Sequence, residues 1–184
     1  MEWTIPGTTL AIRRDQADTV DTMFRTLFLA GGLTLSQVAG LTGLEPYAIQ
    51  NWVKRGFLSP PQRKRYRMDQ VCRIATINMM KSTLSLEKIC SLIRYINGDL
   101  ADTEDDLVDD AALYFMFVRL AARARHIGGE QNWEQALEEV TADYTPPFPE
   151  AKERLIRVLR VMLMAWIAGR FLLRVDDMVA QLET

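Results

Sequence analysis

The sequence predicts a mainly α-helical protein with one small β-wing, and three observations support this fold class. Apolar residues recur at the three- and four-residue spacing of amphipathic helices along most of the 184-residue chain. Glycines and prolines separate these apolar runs, as they do at helix ends. One basic stretch with two adjacent prolines interrupts the helical pattern and favours a short β-ribbon.

Charge is distributed unevenly along the chain. The formal net charge is −2, yet residues 1–33 carry −1, residues 34–98 carry +7 and residues 99–184 carry −8. We therefore predict an N-terminal segment with a packing helix (1–33), a DNA-binding domain (34–98) and a helical bundle for dimerisation or effector binding (99–184). A basic domain within an acidic protein indicates a polyanionic partner, and double-stranded DNA is our first candidate.

The composition predicts a cytoplasmic protein. The N-terminal residues lack an apolar run followed by a cleavage site, and the most apolar run, residues 161–168, is shorter than the roughly 18 residues of a membrane span. Two cysteines, Cys72 and Cys90, and the single His126 do not supply a usual metal cage. We expect reduced thiols, no metal, no cofactor and no membrane partner.

The first predicted helix carries an apolar stripe between Val20 and Phe28 and ends at the glycine pair Gly31 and Gly32. A stripe of this kind has to be buried, so the helix is expected to pack across the next domain.

A helix-turn-helix is predicted next. Thr34 and Gln37 form the capping-box signature of one short helix, and Gly43 provides a left-handed turn residue. Pro46 suits the first position of a second helix that continues to Gly56. Two short helices joined by such a turn have the spacing of a helix-turn-helix.

The second of these helices has an apolar stripe of Ile49, Trp52 and Val53, so its opposite stripe is predicted to be exposed. The predicted base-reading residues on that stripe are Tyr47, Gln50, Asn51 and Lys54. Asparagine and glutamine can contact adenine edges in the major groove, and a lysine beside them can hold a phosphate. A merely solvated helix face is the alternative interpretation.

The stretch after this helix is strongly basic and is predicted to form the wing. The predicted phosphate-binding residues are Arg55, Arg63, Lys64, Arg65, Tyr66 and Arg67. An aromatic residue among guanidinium groups suits a wing pressed on a phosphate backbone, where Tyr66 packs inward or donates to phosphate. A solubilising loop is the alternative, although such loops usually mix both charge signs.

Two helices are predicted after the wing, one starting at Asp69 and one after Ser85 as its N-cap. Cys72 and Cys90 lie inside them and are predicted to be small buried hydrophobes without a redox or metal role.

Three segments between residues 34 and 96 carry a family resemblance: LSQVAGLTGLEPYAIQNWVKRGFLSPP, RKRYRMDQV and LSLEKICSLI. In this order they resemble the MerR-type winged helix DNA-binding module. The NWVKRGFLSPPQRKRY stretch and the LSLEKI segment are more closely similar to the bacterial family labelled domain of unknown function 1836. The resemblance implies a MerR-like fold and DNA binding, with no known target or inducer. Gln50 to Val53 depart from the R-Y-Y/F-E-like run of MerR regulators, so individual DNA contacts are not carried over.

The acidic half is predicted to be a helical bundle. Seven carboxylates and no cation fall in residues 99–110, where Thr103 as an N-cap with Asp105 and Asp106 in the first turn is favoured over a metal or acid–base site. Further helices are predicted over residues 107–127, from Asn132 through Val140, and over residues 150–181.

The centre of the last predicted helix is apolar nearly all round. Such a helix lies inside a bundle or at a subunit interface, and two-fold self-association suits a protein that reads a two-fold DNA site. We therefore predict a homodimer. Phe117, Met164 and Trp166 pack in the core or line a pocket for a small-molecule effector of unknown identity.

The sequence contains no nucleophile–base constellation and no glycine-rich phosphate loop, so we predict no catalytic residues and no enzymatic activity. The predicted function is sequence-specific DNA binding for transcriptional control. The alternative is an adaptor whose winged helix docks another protein and does not bind DNA.

Overall fold

Helices dominate the structure, a computed structural model that describes residues 2–97, 107–124 and 129–182, without the side chains of residues 129–131. The predicted mainly α class is confirmed. The helices are α1 (Val20–Leu27), α2 (Leu35–Thr42), α3 (Pro46–Lys54), α4 (Met68–Met80), α5 (Leu86–Asn97), α6 (Asp110–Arg123), α7 (Gly129–Val140) and α8 (Ala151–Leu182). The strands are β1 (Glu2–Thr4), β2 (Ala11–Arg13), β3 (Leu33–Thr34) and β4 (Arg65–Tyr66), and a 3-10 helix covers Arg14–Thr19.

An N-terminal β-hairpin, which the sequence did not predict, precedes the helices. Strands β1 and β2 are antiparallel, with Trp3 opposite Ile12. The hairpin is tied to two distant helices, because Tyr114 Oη of α6 donates to the Pro6 carbonyl at 2.8 Å and the Thr9 amide donates to the Leu41 carbonyl of α2 at 2.8 Å. It therefore bridges α2 and α6.

Helix α2 begins and ends where the local signals predict, and α3 begins at the predicted Pro46 but ends at Lys54, two residues before Gly56. The Gln37 amide donates to Thr34 Oγ1 at 3.4 Å, and the Thr34 amide donates to Gln37 Oε1 at 2.9 Å, which completes the capping box. Gly43 has a φ of 67° and ends α2 in the left-handed region. Asn78 of α4 fixes this turn, since its Nδ2 donates to the Thr42 carbonyl at 2.8 Å.

A second small sheet joins the start of α2 to the basic stretch. Strand β3 pairs with β4, with Leu33 opposite Tyr66 and Thr34 opposite Arg65. We call residues 62–67 the basic loop. The predicted β-structure in this stretch is therefore present.

One hydrophobic core runs from the N-terminal hairpin to α8. Helix α4 lies at its centre, since every residue from 71 to 77 is buried, and it packs against both α6 and α8. Phe24, Tyr114 and Phe115 form an aromatic cluster with ring centroids 5.5 to 5.7 Å apart. The basic and acidic parts thus share a core, and the predicted boundary between residues 98 and 99 lies outside the described residues.

Helix α6 begins later than the acidic segment suggests. Asp109 is its N-cap and accepts a hydrogen bond from the Ala112 amide at 2.6 Å. The predicted cap at Thr103, with Asp105 and Asp106, lies outside the described residues. Helix α7, predicted to start at Asn132, starts at Gly129, and α8 starts and ends within one residue of its predicted bounds.

The three residues proposed for a pocket do not lie together. Phe117 and Trp166 are buried in edge-to-face contact with ring centroids 6.1 Å apart, which is the core-packing interpretation. Met164 is 57% exposed on another face of α8.

Both cysteines are free. Burial raises the pKa of the Cys72 thiol well above its ordinary value and raises the pKa of the Cys90 thiol to a smaller extent, so both thiols stay protonated.

Candidate nucleic-acid interface

Helix α3 presents the predicted polar stripe to solvent. Ile49 and Trp52 are buried in the core, so helical periodicity places the opposite side chains outward. The exposed residues are Tyr47, Gln50, Asn51 and Lys54. None of these four side chains has a hydrogen-bond or ion-pair partner within the described residues. The stripe therefore offers two amides between an aromatic ring and an ammonium group.

The tip of the basic loop is a tight turn. Gln62 and Arg65 exchange two backbone hydrogen bonds, of 3.0 and 2.8 Å. Between them Arg63 has a φ of 48° and Lys64 a φ of 63°. Positive φ at both central residues defines the turn that normally takes Asn-Gly, and a non-glycine residue there costs on the order of 1 kcal/mol. Arg63 and Lys64 thus occupy two positions at which asparagine and glycine would make the turn more stable.

Exchanging these two residues for the turn's preferred pair should stabilise the protein. We expect Arg63→Asn with Lys64→Gly to raise the free energy of unfolding by about 1–2 kcal/mol, because the backbone strain is relieved. Urea denaturation followed by circular dichroism measures the change. The matched control, Arg63→Ala with Lys64→Ala, removes the same charges but keeps the strain. Equal stability of the two variants would contradict this interpretation.

Three predicted phosphate-binding residues meet at one open groove of about 700 Å³ beside this turn. Its lining residues are Phe28, Gly31, Gly32, Gln62, Arg63, Arg65, Arg67 and Met68. Arg65 is oriented by a 2.8 Å hydrogen bond that its Nη1 donates to the Gly32 carbonyl. Gly32 permits this close approach, since its φ is +100° and an added Cβ would lie 2.8 Å from the Tyr66 carbonyl oxygen.

Arg67 lies at the groove but already has a partner. Its Nη2 is 2.8 Å from Asp69 Oδ2, and its Nε is 3.2 Å from Asp69 Oδ1. Burial by itself would raise the pKa of Asp69, but the paired guanidinium and backbone hydrogen bonds outweigh burial, so the pKa lies below its ordinary value. The Asp69 carboxylate therefore stays ionised at neutral pH and offsets the charge of Arg67.

Two other predicted phosphate ligands are also engaged elsewhere. Arg55 pairs with Glu87 of α5 and stacks over the Phe57 ring, with its guanidinium carbon 4.6 Å from the ring centroid. Tyr66 is predicted either to pack inward or to donate to a phosphate. Its side chain packs inward, since the residue is only 2% exposed, and it is therefore not placed to contact a phosphate. Lys54, Arg63, Lys64 and Arg65 are the predicted contact residues whose charge has no ion-pair partner in the described part of the chain, and of these side chains only that of Arg65 makes a hydrogen bond, to the Gly32 carbonyl.

Sequence reasoning missed the residue that anchors the basic loop. Gln70 of α4 is buried, and its Nε2 donates to the Ser59 carbonyl at 2.9 Å, to Ser59 Oγ at 3.0 Å and to the Pro60 carbonyl at 3.1 Å. These contacts fix the proline-containing connection from α3. Gln70 Oε1 also accepts a hydrogen bond from the Arg67 amide at 2.9 Å, which is a local cap at the start of α4. No local pattern predicts its contacts with Ser59 and Pro60, because these residues lie eleven and ten positions earlier in the chain.

A separate cavity of about 550 Å³ lies between the basic loop's connection and the helical bundle. Arg73, Asn97, Asp110 and Tyr144 are among its lining residues. Asn97 is buried, and its Oδ1 accepts no hydrogen bond.

The described residues contain no cluster of His, Cys, Asp and Glu that could hold a metal ion. Among the helices that the structure describes, none is long and apolar enough to span a membrane.

Comparison with known proteins places the stripe and the basic loop inside a matched region. Residues 32–117 match the family described as Domain of unknown function (DUF1836). The chain is also similar to the uncharacterized protein YkrK of Bacillus subtilis (strain 168), with 26% identity over 115 residues that cover 60% of this chain and 49% of that protein. The match thus spans about half the length of this relative. No solved structure matches the chain significantly.

Proposed function

We propose that the protein is a sequence-specific DNA-binding transcriptional regulator with a MerR-like winged helix-turn-helix. In this proposal α2 and α3 form the helix-turn-helix, the basic loop is the wing, and the protein acts without catalysis as a homodimer in the cytoplasm. One observation carries it: an exposed, unpartnered polar stripe on α3 accompanies a loop that holds two cations in strained backbone conformations. Helix α2 packs against both α3 and β4 and would fix their relative placement.

The two parts of the interface would contribute differently to binding. Gln50 and Asn51 would read base edges, where a good bidentate contact discriminates by about 1–3 kcal/mol. Lys54, Arg63 and Lys64 would neutralise phosphates, which adds affinity without sequence preference. Each phosphate contact contributes about 0.9 to the slope of log affinity against log salt concentration.

Selection of bound sequences from random DNA, followed by salt-dependent affinity measurements, tests the proposal. We expect Arg63→Ala with Lys64→Ala to weaken selected and random DNA alike and to reduce the salt slope by about 2. We expect Gln50→Ala with Asn51→Ala to reduce the preference for the selected sequence by roughly 10-fold or more while leaving the salt slope almost unchanged.

The matched control removes two cations from the bundle, Lys152→Ala with Arg157→Ala, and should leave the salt slope close to wild type. No enriched sequence, together with low-salt affinity unchanged by the Arg63 and Lys64 substitutions, would overturn the proposal. A protein partner that shields Lys54 and Arg65, without DNA affinity, would favour the adaptor alternative.

A further inference from the structure

The cavity of about 550 Å³ beside the basic loop's connection is lined from two parts of the chain. Leu58, Ser59 and Gln70 contribute from the connection and the start of α4, and Met116 and Tyr144 contribute from the helical bundle. Protein pockets for small organic ligands have volumes of roughly 300–1,000 Å³ and combine apolar walls with a few polar groups. The cavity meets both conditions, so it has the size and composition of a ligand site.

Asn97, the last residue of α5, lines the cavity and has a buried oxygen without a donor. The residue is 4% exposed, and its Oδ1 accepts no hydrogen bond from any residue that the structure describes. Burial of an amide oxygen without a donor is costly, whereas an apolar side chain of similar shape would avoid the cost. Because buried amides in folded proteins are nearly always hydrogen-bonded, a molecule that enters the cavity is the natural source of the donor.

The charges around the cavity indicate what kind of donor fits. The charged lining residues are Arg67, Asp69, Arg73, Asp109, Asp110 and Asp143. Arg67 is paired with Asp69, and Arg73 is paired with Asp110. The remaining two carboxylates have no cationic partner among the described residues. The lining therefore has an excess of negative charge, which favours a cation over an anion.

The polar groups of the lining lie at different depths. Asp109 and Asp143 are exposed, so they would attract a cation from solvent towards the cavity. Asn97 is buried, so its Oδ1 would meet the cation only after the cation has entered. An ammonium group satisfies both conditions, because it carries a positive charge and three N–H donors.

An organic cation fits this lining better than a metal ion. Mg²⁺ and Ca²⁺ need several convergent oxygen ligands, and the described residues include no group of three or more His, Cys, Asp or Glu side chains that could hold a metal ion. The apolar lining residues Leu58, Leu107 and Met116 would contact the hydrocarbon part of an organic ligand. The cavity thus combines an excess of carboxylates with apolar walls.

We propose that this cavity binds a small organic cation that consists of a primary ammonium group on an apolar body. One N–H of the ammonium group donates to Asn97 Oδ1, and the exposed carboxylates of Asp109 and Asp143 balance its charge. The site involves neither the exposed stripe of α3 nor the turn at the tip of the basic loop. The proposal therefore goes beyond DNA binding and does not depend on it.

Isothermal titration calorimetry of the full chain without DNA tests the site. The probes are phenethylamine and the linear primary amines from butylamine to octylamine, each compared with the alcohol and the carboxylate of the same carbon skeleton. We expect at least one amine to bind at a single site per chain and about 10-fold or more tightly than its alcohol, because its N–H groups are charged donors. The carboxylates should not bind.

Two substitutions separate a ligand site from a purely structural role of its residues. Asn97→Leu removes the acceptor and should weaken amine binding about 10-fold or more. Without the amine, this variant should unfold at the same urea concentration as wild type or a higher one, because it removes an unpaired buried oxygen. Asp143→Asn should weaken binding several-fold. The matched control, Asp177→Asn at the exposed end of α8, should bind the amine like wild type.

The outcomes distinguish this site from general attraction of amines to an acidic protein. The proposal is overturned if no amine binds more tightly than its alcohol, or if Asp143→Asn and Asp177→Asn have equal effects. Lower stability of Asn97→Leu without the amine would show that the Asn97 oxygen has a structural role and would also overturn it. Asp143 is exposed, so its variant should fold even if Asn97→Leu does not. Because no DNA is present, failure here is distinguishable from a failure of DNA binding.

Discussion

Replacing Gly7 with alanine is expected to lower the free energy of unfolding by about 3–5 kcal/mol. Gly7 has a φ of +74°, and an added Cβ would lie 2.1 Å from the carbonyl oxygen of Ala75. That oxygen belongs to the backbone of α4, which is buried on all sides, so it cannot move aside as a flexible side chain would. The N-terminal hairpin would have to separate from α4.

The consequence should extend to the candidate interface. The Gly7 carbonyl accepts a 3.0 Å hydrogen bond from Asn78 Nδ2, and the same nitrogen holds the Thr42 carbonyl at the end of α2. Displacing the hairpin would therefore loosen the turn between α2 and α3. We expect the proposed DNA binding to weaken together with stability in this variant.

Gly40→Ala is the matched control for this prediction. Gly40 lies in α2, and an added Cβ there meets no atom within 4 Å. Alanine favours a helix over glycine by up to about 1 kcal/mol, so this variant should be as stable as wild type or slightly more stable. Urea denaturation of both variants measures the difference. If Gly7→Ala unfolds within about 1 kcal/mol of Gly40→Ala, the close approach to α4 is not a constraint.

The parts of the fold that could be predicted depend on short-range signals. Thr34 with Gln37, Gly43 and Pro46 set the ends of α2 and α3 through contacts within a few residues, so the sequence contains the information. The exposed stripe follows from those ends by periodicity. The N-terminal hairpin could not be predicted in this way, because its three-residue strands pair only when Trp3 is buried against the core.

The electrostatics of the site were harder to predict. A net charge of +7 identifies residues 34–98 as the basic part of the chain but not which of its cations lack a partner. The Arg67 and Asp69 pair is local and could have been anticipated from its spacing, whereas Glu87 reaches Arg55 from 32 residues away. The turn at Arg63 and Lys64 lacks the Asn-Gly pair that usually announces its geometry, so only the structure reveals the strain.

The second large effect is expected at a buried ion pair between α4 and α6. Arg73 Nε lies 3.1 Å from Asp110 Oδ2, and the two side chains are 9% and 19% exposed. The N–H of Nε is not aligned for a hydrogen bond, so we treat the contact as one between charges. We expect Arg73→Met to cost about 3–5 kcal/mol, because the Asp110 carboxylate would lose its buried cation.

A double-mutant cycle separates this pair from simple loss of packing. Arg73→Met together with Asp110→Asn should cost clearly less than the sum of the two single changes, since neither charge then remains buried without the other. Arg157→Met is the control, because Arg157 and Glu153 form an exposed pair, 60% and 65% exposed, worth at most about 1 kcal/mol. Equal losses for the two arginines would contradict the prediction. A larger loss at Arg73 would mean that this pair fastens the bundle to α4, the helix whose Gln70 anchors the basic loop.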